Sequence, residues 1–256
     1  ALLGSAVNNL GLIEQFLPTW RRSEAHFREA ISSLEAGFGP SHSRPLRSRR
    51  NLILALGDQG RHDEALEETR LALRLAEQAE DQLSRARVWE TAGIAQRRAG
   101  LFAEAVESQE RCRSLAAATG GPSHPATRKC LGQLAWARAL DGDEAGAIAD
   151  LERLRLLESE PVSGYAERAI YATLLELARF DEAEPHIGRY RELTEGRNDG
   201  IALFDLARVR QGQGANDEAR RFFEESWLFF RQRYGPDHAL ALRSLESMKS
   251  LEPAAP

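Results

Sequence analysis

The stretch from Arg87 to Cys112, RVWETAGIAQRRAGLFAEAVESQERC, constrains the fold of this chain more than any other. It reads as two short helices with a tight break at Ala99-Gly100. Trp89, Ala92, Gly93 and Gln96 recur three or four residues apart and so share one helical face; Phe102, Ala105, Val106 and Cys112 do the same after the break. Gly93 and Ala105 are small where two helix axes would cross. Neither helix carries enough apolar surface to fold alone, so such a unit is stable only when stacked on copies of itself.

The copies are present. With Ala105 as anchor, equivalent positions are Ser23, Ala65, Ala147, Ala183 and Ala219. The intervals along the chain are 42, 40, 42, 36 and 36 residues. Ser23 and Ala147 match by spacing, whereas Ala65, Ala183 and Ala219 each close an Asp-Glu-Ala. A turn residue stands five places before each anchor: Pro18, Gly60, Gly100, Gly142, Ala178 and Gly214. This pattern predicts repeats near 5–37, 46–79, 87–119, 126–159, 165–194 and 201–234. A last helix, 239–251, has no partner and would cover the end of a single array, leaving 252–256 as a frayed tail. No period-two alternation persists, so no strand is expected.

Trp89-x2-Ala92-Gly93 followed by Ala105, and Asn51-Leu52 followed by Gln59-Gly60-Arg61-His62-Asp63-Glu64-Ala65, resemble the tetratricopeptide repeat. The 42-residue spacings resemble its kinesin-light-chain-like subclass. So do Gly39-Pro40-Ser41-His42, Gly121-Pro122-Ser123-His124 and Gly235-Pro236-Asp237-His238. The resemblance implies an all-α, right-handed superhelical solenoid of antiparallel helix pairs that binds proteins or peptides on its concave side. Gln96, where the family prefers Tyr, and Glu167, where an apolar residue is usual, depart from it.

Within the repeats, Val7, Leu10, Gly11 and Phe16 are expected inside the first, Pro18 ends its first helix, and Ser41 or Ser43 caps the next helix. Pro161-Val162-Ser163-Gly164 reads as a break. The sixth repeat is aromatic, with Phe204, Phe222, Phe223, Trp227, Phe229 and Phe230. Leu240, Leu245 and Met248 form the covering face of the last helix.

The chemistry-bearing residues argue against an enzyme. His42, His124 and His238 recur at one place after Gly-Pro, which fits a turn-closing role, and His26, His62 and His186 are scattered. No two histidines sit one turn apart to chelate a metal, and no nucleophile–base pair or phosphate loop is recognisable, so no cofactor or metal is expected. Asp63-Glu64 and Asp181-Glu182 belong to second-helix starts, where negative charge suits the helix dipole. Cys112 and Cys130 have no metal spacing; Cys112 reads as a buried small hydrophobe, and a reducing, cytoplasmic setting fits. Net charge −5 argues against nucleic acid, and no apolar run is long enough for a membrane span.

The first helices would line the concave side. The resemblance places Asn9, Asn51 and Gln133 where an amide holds a peptide backbone, and an amide can both donate to and accept from a peptide unit. Around them Arg47, Arg50, Arg87, Arg97, Arg98, Lys129 and Arg168 would make a basic lining, with Trp136 as an apolar anchor. Guanidinium groups pair with carboxylates or phosphates through parallel hydrogen bonds, so the expected partner is an extended, acidic protein segment. That partner could be another domain of the same protein. Arginine outnumbers lysine, which occurs only at 129 and 249, and the chain begins at Ala1. These features suggest the regulatory or sensory part of a larger bacterial signalling protein, such as a kinase, NTPase-type regulator or transcription factor. A self-associating array, forming a homo-oligomer through Phe222 to Phe230, is the further alternative.

Overall fold

The computed structural model describes residues 2–15, 17, 20–157, 163–197 and 199–251, with only the backbone of Leu2 and Trp20. Among the described residues there are thirteen helices and no strand. They are α1 (Leu2–Glu14), α2 (Trp20–Phe38), α3 (Ser43–Asp58), α4 (His62–Glu77), α5 (Gln82–Arg98), α6 (Phe102–Gly120) and α7 (Pro125–Asp141). They continue as α8 (Glu144–Leu157), α9 (Gly164–Glu176), α10 (Phe180–Leu193), α11 (Asp199–Gly212), α12 (Asn216–Tyr234) and α13 (Ala239–Ser250). Two compact units result, 1–157 with α1 to α8 and 158–256 with α9 to α13. In the first, each helix packs on the next, and α1, α3, α5 and α7 also touch in succession along one side. In the second, the order is the same, α9 also touches α11, and α13 packs on α12. Phe16, Pro18, Pro161, Val162 and the tail 252–256 lie outside the described residues.

The six anchors explain why the pairs close. Ser23, Ala65, Ala105, Ala147, Ala183 and Ala219 are all at most 1 % exposed. A larger side chain at these points would push the paired helices apart. Gly93 serves the same approach: a Cβ there would strike the amide of Gln109, which donates to the Glu90 carbonyl at 2.9 Å. Between paired helices the chain reverses through a left-handed residue, with φ of 75° at Gly60, 79° at Gly100, 89° at Gly142 and 79° at Gly214. The amide three residues past the helix end reaches back to a carbonyl of the last turn, as in Arg61 to Leu56 at 3.0 Å and Leu101 to Gln96 at 2.9 Å. Ala178 occupies the same place with φ 54°, a conformation that a Cβ disfavours. The second helices α4, α6, α10 and α12 begin without side-chain caps but carry Asp63, Glu64, Glu104, Asp181, Glu182, Asp217 and Glu218 in their first turns, whereas Asp143 caps α8 by accepting from the Gly146 amide at 2.9 Å. These charges face the unpaired amides of the helix start.

The links after the first, third and sixth helix pairs use a different device. His42, His124 and His238 are the N-caps of α3, α7 and α13. Each Nδ1 accepts from the amide two residues on, at 3.2, 3.2 and 3.3 Å. The turn-closing role of the recurrent histidines is therefore a capping role, and it displaces the expectation that Ser41 or Ser43 caps α3. Ser41 instead donates to Gln78.

Three further expectations are corrected. Leu10 is 44 % exposed, and the buried face of α1 runs through Gly4, Asn8 and Gly11. Gly11 abuts the ring of Phe27, so α1 meets α2 one residue around from Leu10. On α13 the buried centre is Ala241 and Ser244 rather than Leu240 and Leu245. The small pair permits the Ser226–Ser244 hydroxyl contact at 3.0 Å, and Met248 does cover Phe204 and Phe223. Cys112 and Cys130 form a disulfide, with Cα atoms 5.7 Å apart. They lie symmetrically about Gly121 on consecutive antiparallel helices, so the hairpin brings them face to face. The argument for a reducing compartment, which rested on free thiols, goes with it.

Glu167, the polar departure in the fifth repeat, is 2 % exposed. Its carboxylate accepts from Arg189 Nε at 2.9 Å and lies 2.5 Å from His186 Nδ1, both on α10. Burial pushes the Glu167 carboxyl up, but the bonds from His186 and Arg189 outweigh it and hold it below the usual range.

Candidate partner-binding face

The first helices of unit 1 carry most of the residues singled out by sequence; of these Asn9, Arg47 and Arg87 are exposed, Arg50, Asn51, Arg97, Arg98, Lys129 and Trp136 are half-buried, and Gln133 is buried. On α3, Arg44, Arg47, Arg50 and Asn51 follow at helical spacing, so they share one face. Asn51 Nδ2 donates to Asn8 Oδ1 at 3.0 Å, and Ser48 Oγ donates to the same oxygen at 2.9 Å. Asn8 is thus a buried tie between α1 and α3. Asn9 points outward on α1 and is exposed.

Arg50 is held from beneath. Its Nε donates to Thr91 Oγ1 at 2.9 Å, and its guanidinium lies 3.8 Å from the Glu90 carboxylate. Glu90, only 4 % exposed, also receives Lys129 Nζ from α7 at 2.6 Å. One buried carboxylate on α5 therefore draws a cation from the helix on either side. Burial pushes the Arg50 guanidinium down, Glu90 opposes that, and the like charges of Arg87 and Arg47 add to it. The three guanidiniums are close enough to repel.

The other predicted residues divide. Arg97 stacks 3.4 Å above the centre of the Trp136 ring and points at Gln133 Oε1, 3.5 Å away. These three form one patch on α5 and α7, in which the indole is covered by a cation rather than bare. Arg98 turns back to Asp58 at 2.6 Å and the Leu54 carbonyl at 3.2 Å, fastening α5 to the end of α3. Arg168 belongs to unit 2. There burial pushes its guanidinium down, but Tyr171, Tyr190 and Asp205 outweigh it and hold it above the usual range.

A cavity of about 370 Å³ opens between α1, α2, α3 and α5. Arg44, Arg47, Arg50 and Arg87 line it, with Asn8 and several serines, against one acid, Asp81. Arg44 was not singled out by sequence, although its spacing of three from Arg47 marks it. Its guanidinium rests 4.5 Å over the Phe38 ring. Asp81 is engaged elsewhere: it caps α5 by accepting from the Leu83 amide at 3.0 Å and from the Ser84 hydroxyl. Arg47 and Arg87 are exposed, and neither has an acidic partner among the described residues.

Among the described residues no three His, Cys, Asp or Glu side chains gather as a metal site requires. No helix among them is long and apolar enough to cross a membrane.

Family models described as tetratricopeptide repeat match residues 84–155 and 205–240. Those segments are tetratricopeptide repeats. No curated protein matches the sequence. Among solved structures, kinesin light chain nearly identical TPR-like repeats from Podosopora anserina share 20 % identity. They match with TM-score 0.51 over 74 % of this chain and 96 % of that one. The apo form of RapI matches with TM-score 0.68 at 11 % identity, over 96 % of this chain and 84 % of that one. A Rap protein complexed with Competence and Sporulation Factor matches with TM-score 0.54 at 14 % identity, over 97 % of this chain and 64 % of that one. At these identities the likeness is one of fold, and it agrees with the helix-pair stacking of the TPR solenoid.

Proposed function

We propose that this TPR chain is a non-enzymatic binding module that takes an extended, acidic segment of a partner protein across the first helices of unit 1. One observation carries the reading. Arg47 and Arg87 stand exposed and unneutralised beside Arg50, on a chain whose net charge is −5. A positive concave patch on an acidic protein draws in negative segments and repels the rest of its own kind. Asn51, Gln133 and the Arg97–Trp136 stack continue the same helices and would meet the main chain and an apolar side chain of the partner. The Rap protein complexed with Competence and Sporulation Factor supports a binding role for the fold, by analogy.

The natural double substitution, Arg50→Glu with Asn51→Ala, is a poor test. It strands Glu90 beside a like charge and removes the tie to Asn8. Arg47→Glu with Arg87→Glu changes only exposed side chains. A fluorescein-labelled twelve-residue peptide of alternating Glu and Ser is the probe. The wild type should bind it with an affinity that falls as salt rises, and the double variant should lose at least tenfold. Equal binding by both proteins, or binding insensitive to salt, would sink the reading.

A further inference from the structure

The cavity at one end of this face has features that a run of carboxylates does not call for. Its wall is concave and small, near the low end of ligand-sized pockets. Four arginines line it; Arg44 rests its guanidinium on the Phe38 ring, and Arg47, Arg50 and Arg87 meet there from two helices. Arg50 is fixed by Thr91 and shares Glu90 with Lys129, so its charge is only partly met. Arg47 and Arg87 have no acidic partner among the described residues, and the acid in the wall is spent on capping α5. A single carboxylate would neutralise one cation and offer two oxygens. A phosphate monoester brings close to two negative charges and three acceptor oxygens, enough to engage several guanidinium forks at once.

We propose that the cavity lined by Arg47, Arg50 and Arg87 is a receptor site for a phosphate monoester dianion. Two sources share that chemistry: a phosphorylated side chain of a partner protein, and a free small phosphate. The site lies on the face proposed above to receive a partner segment, and it rests on that reading for the protein-borne source alone.

Calorimetric titration of the full chain tests it with four probes: the peptide Gly-Ser-Gly-phosphoserine-Gly-Ser-Gly with blocked ends, the same peptide with Glu for phosphoserine, free O-phosphoserine, and inorganic phosphate. The phosphopeptide should saturate one site and bind at least tenfold more tightly than the Glu peptide. Arg47→Gln with Arg87→Gln should weaken it at least tenfold while the circular dichroism melt stays in place. Free phosphoserine matching the phosphopeptide assigns the site to small phosphates, whereas a tighter phosphopeptide assigns it to a modified protein. No saturable binding of any phosphate probe, parity between the Glu and phosphoserine peptides, or an unaffected double variant overturns the inference. A wild type that binds the Glu-Ser peptide but no phosphate leaves the groove reading standing. One that binds only phosphate removes the groove and keeps this site.

Discussion

Glu90 is the residue whose replacement separates the packing of this face from its charge. Glu90→Gln keeps the shape of the side chain and removes the charge that Arg50 and Lys129 share. Lys129 is 41 % exposed, so it retreats into water and its pair counts at the scale of surface pairs, under about 1 kcal/mol. Arg50 is 16 % exposed, and its nitrogen lies 3.8 Å from the carboxylate, so it loses a largely buried counter-charge but keeps Thr91. Removing one partner of a fully buried pair costs about 3–5 kcal/mol. The retained hydrogen bond and the residual exposure reduce that, and the expected loss for unit 1 is about 2 kcal/mol. Urea unfolding followed by circular dichroism reads it as a lower midpoint at unchanged slope. The same substitution unmasks Arg50 toward the cavity, so affinity for the phosphoserine peptide should rise several-fold. Stability and affinity then move in opposite directions, which a simple loss of fold cannot produce. Unchanged stability, or a fall in affinity alongside it, would refute the assignment of Glu90 as the buried counter-ion of this face.

Three further outcomes follow from the structure. His124→Ala should cost about 1 kcal/mol by removing the acceptor for the Ala126 amide, while His124→Asn, which also caps, should retain most of it; chemical denaturation compares them. Ala178→Gly should stabilise unit 2 by roughly 0.5–1 kcal/mol. Relief of the left-handed strain outweighs the entropy that glycine adds to the unfolded chain, and a lower unfolding midpoint would contradict this. Glu167 has its folded-state pKa depressed below the ordinary 4.5, so its contribution is complete above that value and is lost as pH falls through the folded-state pKa. Glu167→Gln should therefore flatten the acid limb of the stability profile below about pH 4.5, and parallel wild-type and variant curves would count against the clamp.

Much of the architecture was legible before any coordinates. Ser23, Ala65, Ala105, Ala147, Ala183 and Ala219 are small for a reason that acts within one helix pair, so their recurrence exposed the repeat directly. The histidines after Gly-Pro were legible as turn elements for the same reason, since a cap acts over two residues. Leu10 was misplaced because α1 has Asn8, a polar residue, on its buried face. Hydrophobic periodicity cannot announce a buried amide whose partners, Ser48 and Asn51, come from another helix. Arg44 was visible only as one more arginine until the cavity gave it neighbours.

The candidate site shows where local reading ends. Arg50, Arg97 and Arg98 look alike in sequence, each on the exposed side of a first helix. Tertiary structure gives them different work: Arg50 beside Glu90, Arg97 on Trp136, and Arg98 bound back to Asp58. The repeat, its turns and its caps were set by the sequence alone, because helix spacing and backbone preference act across a few residues. The pairing of Cys112 with Cys130, the sharing of Glu90 and the unneutralised charge of Arg47 and Arg87 were decided only in three dimensions. A guanidinium on a flexible stem reaches several neighbours, and which of them it meets depends on how adjacent helices settle against each other.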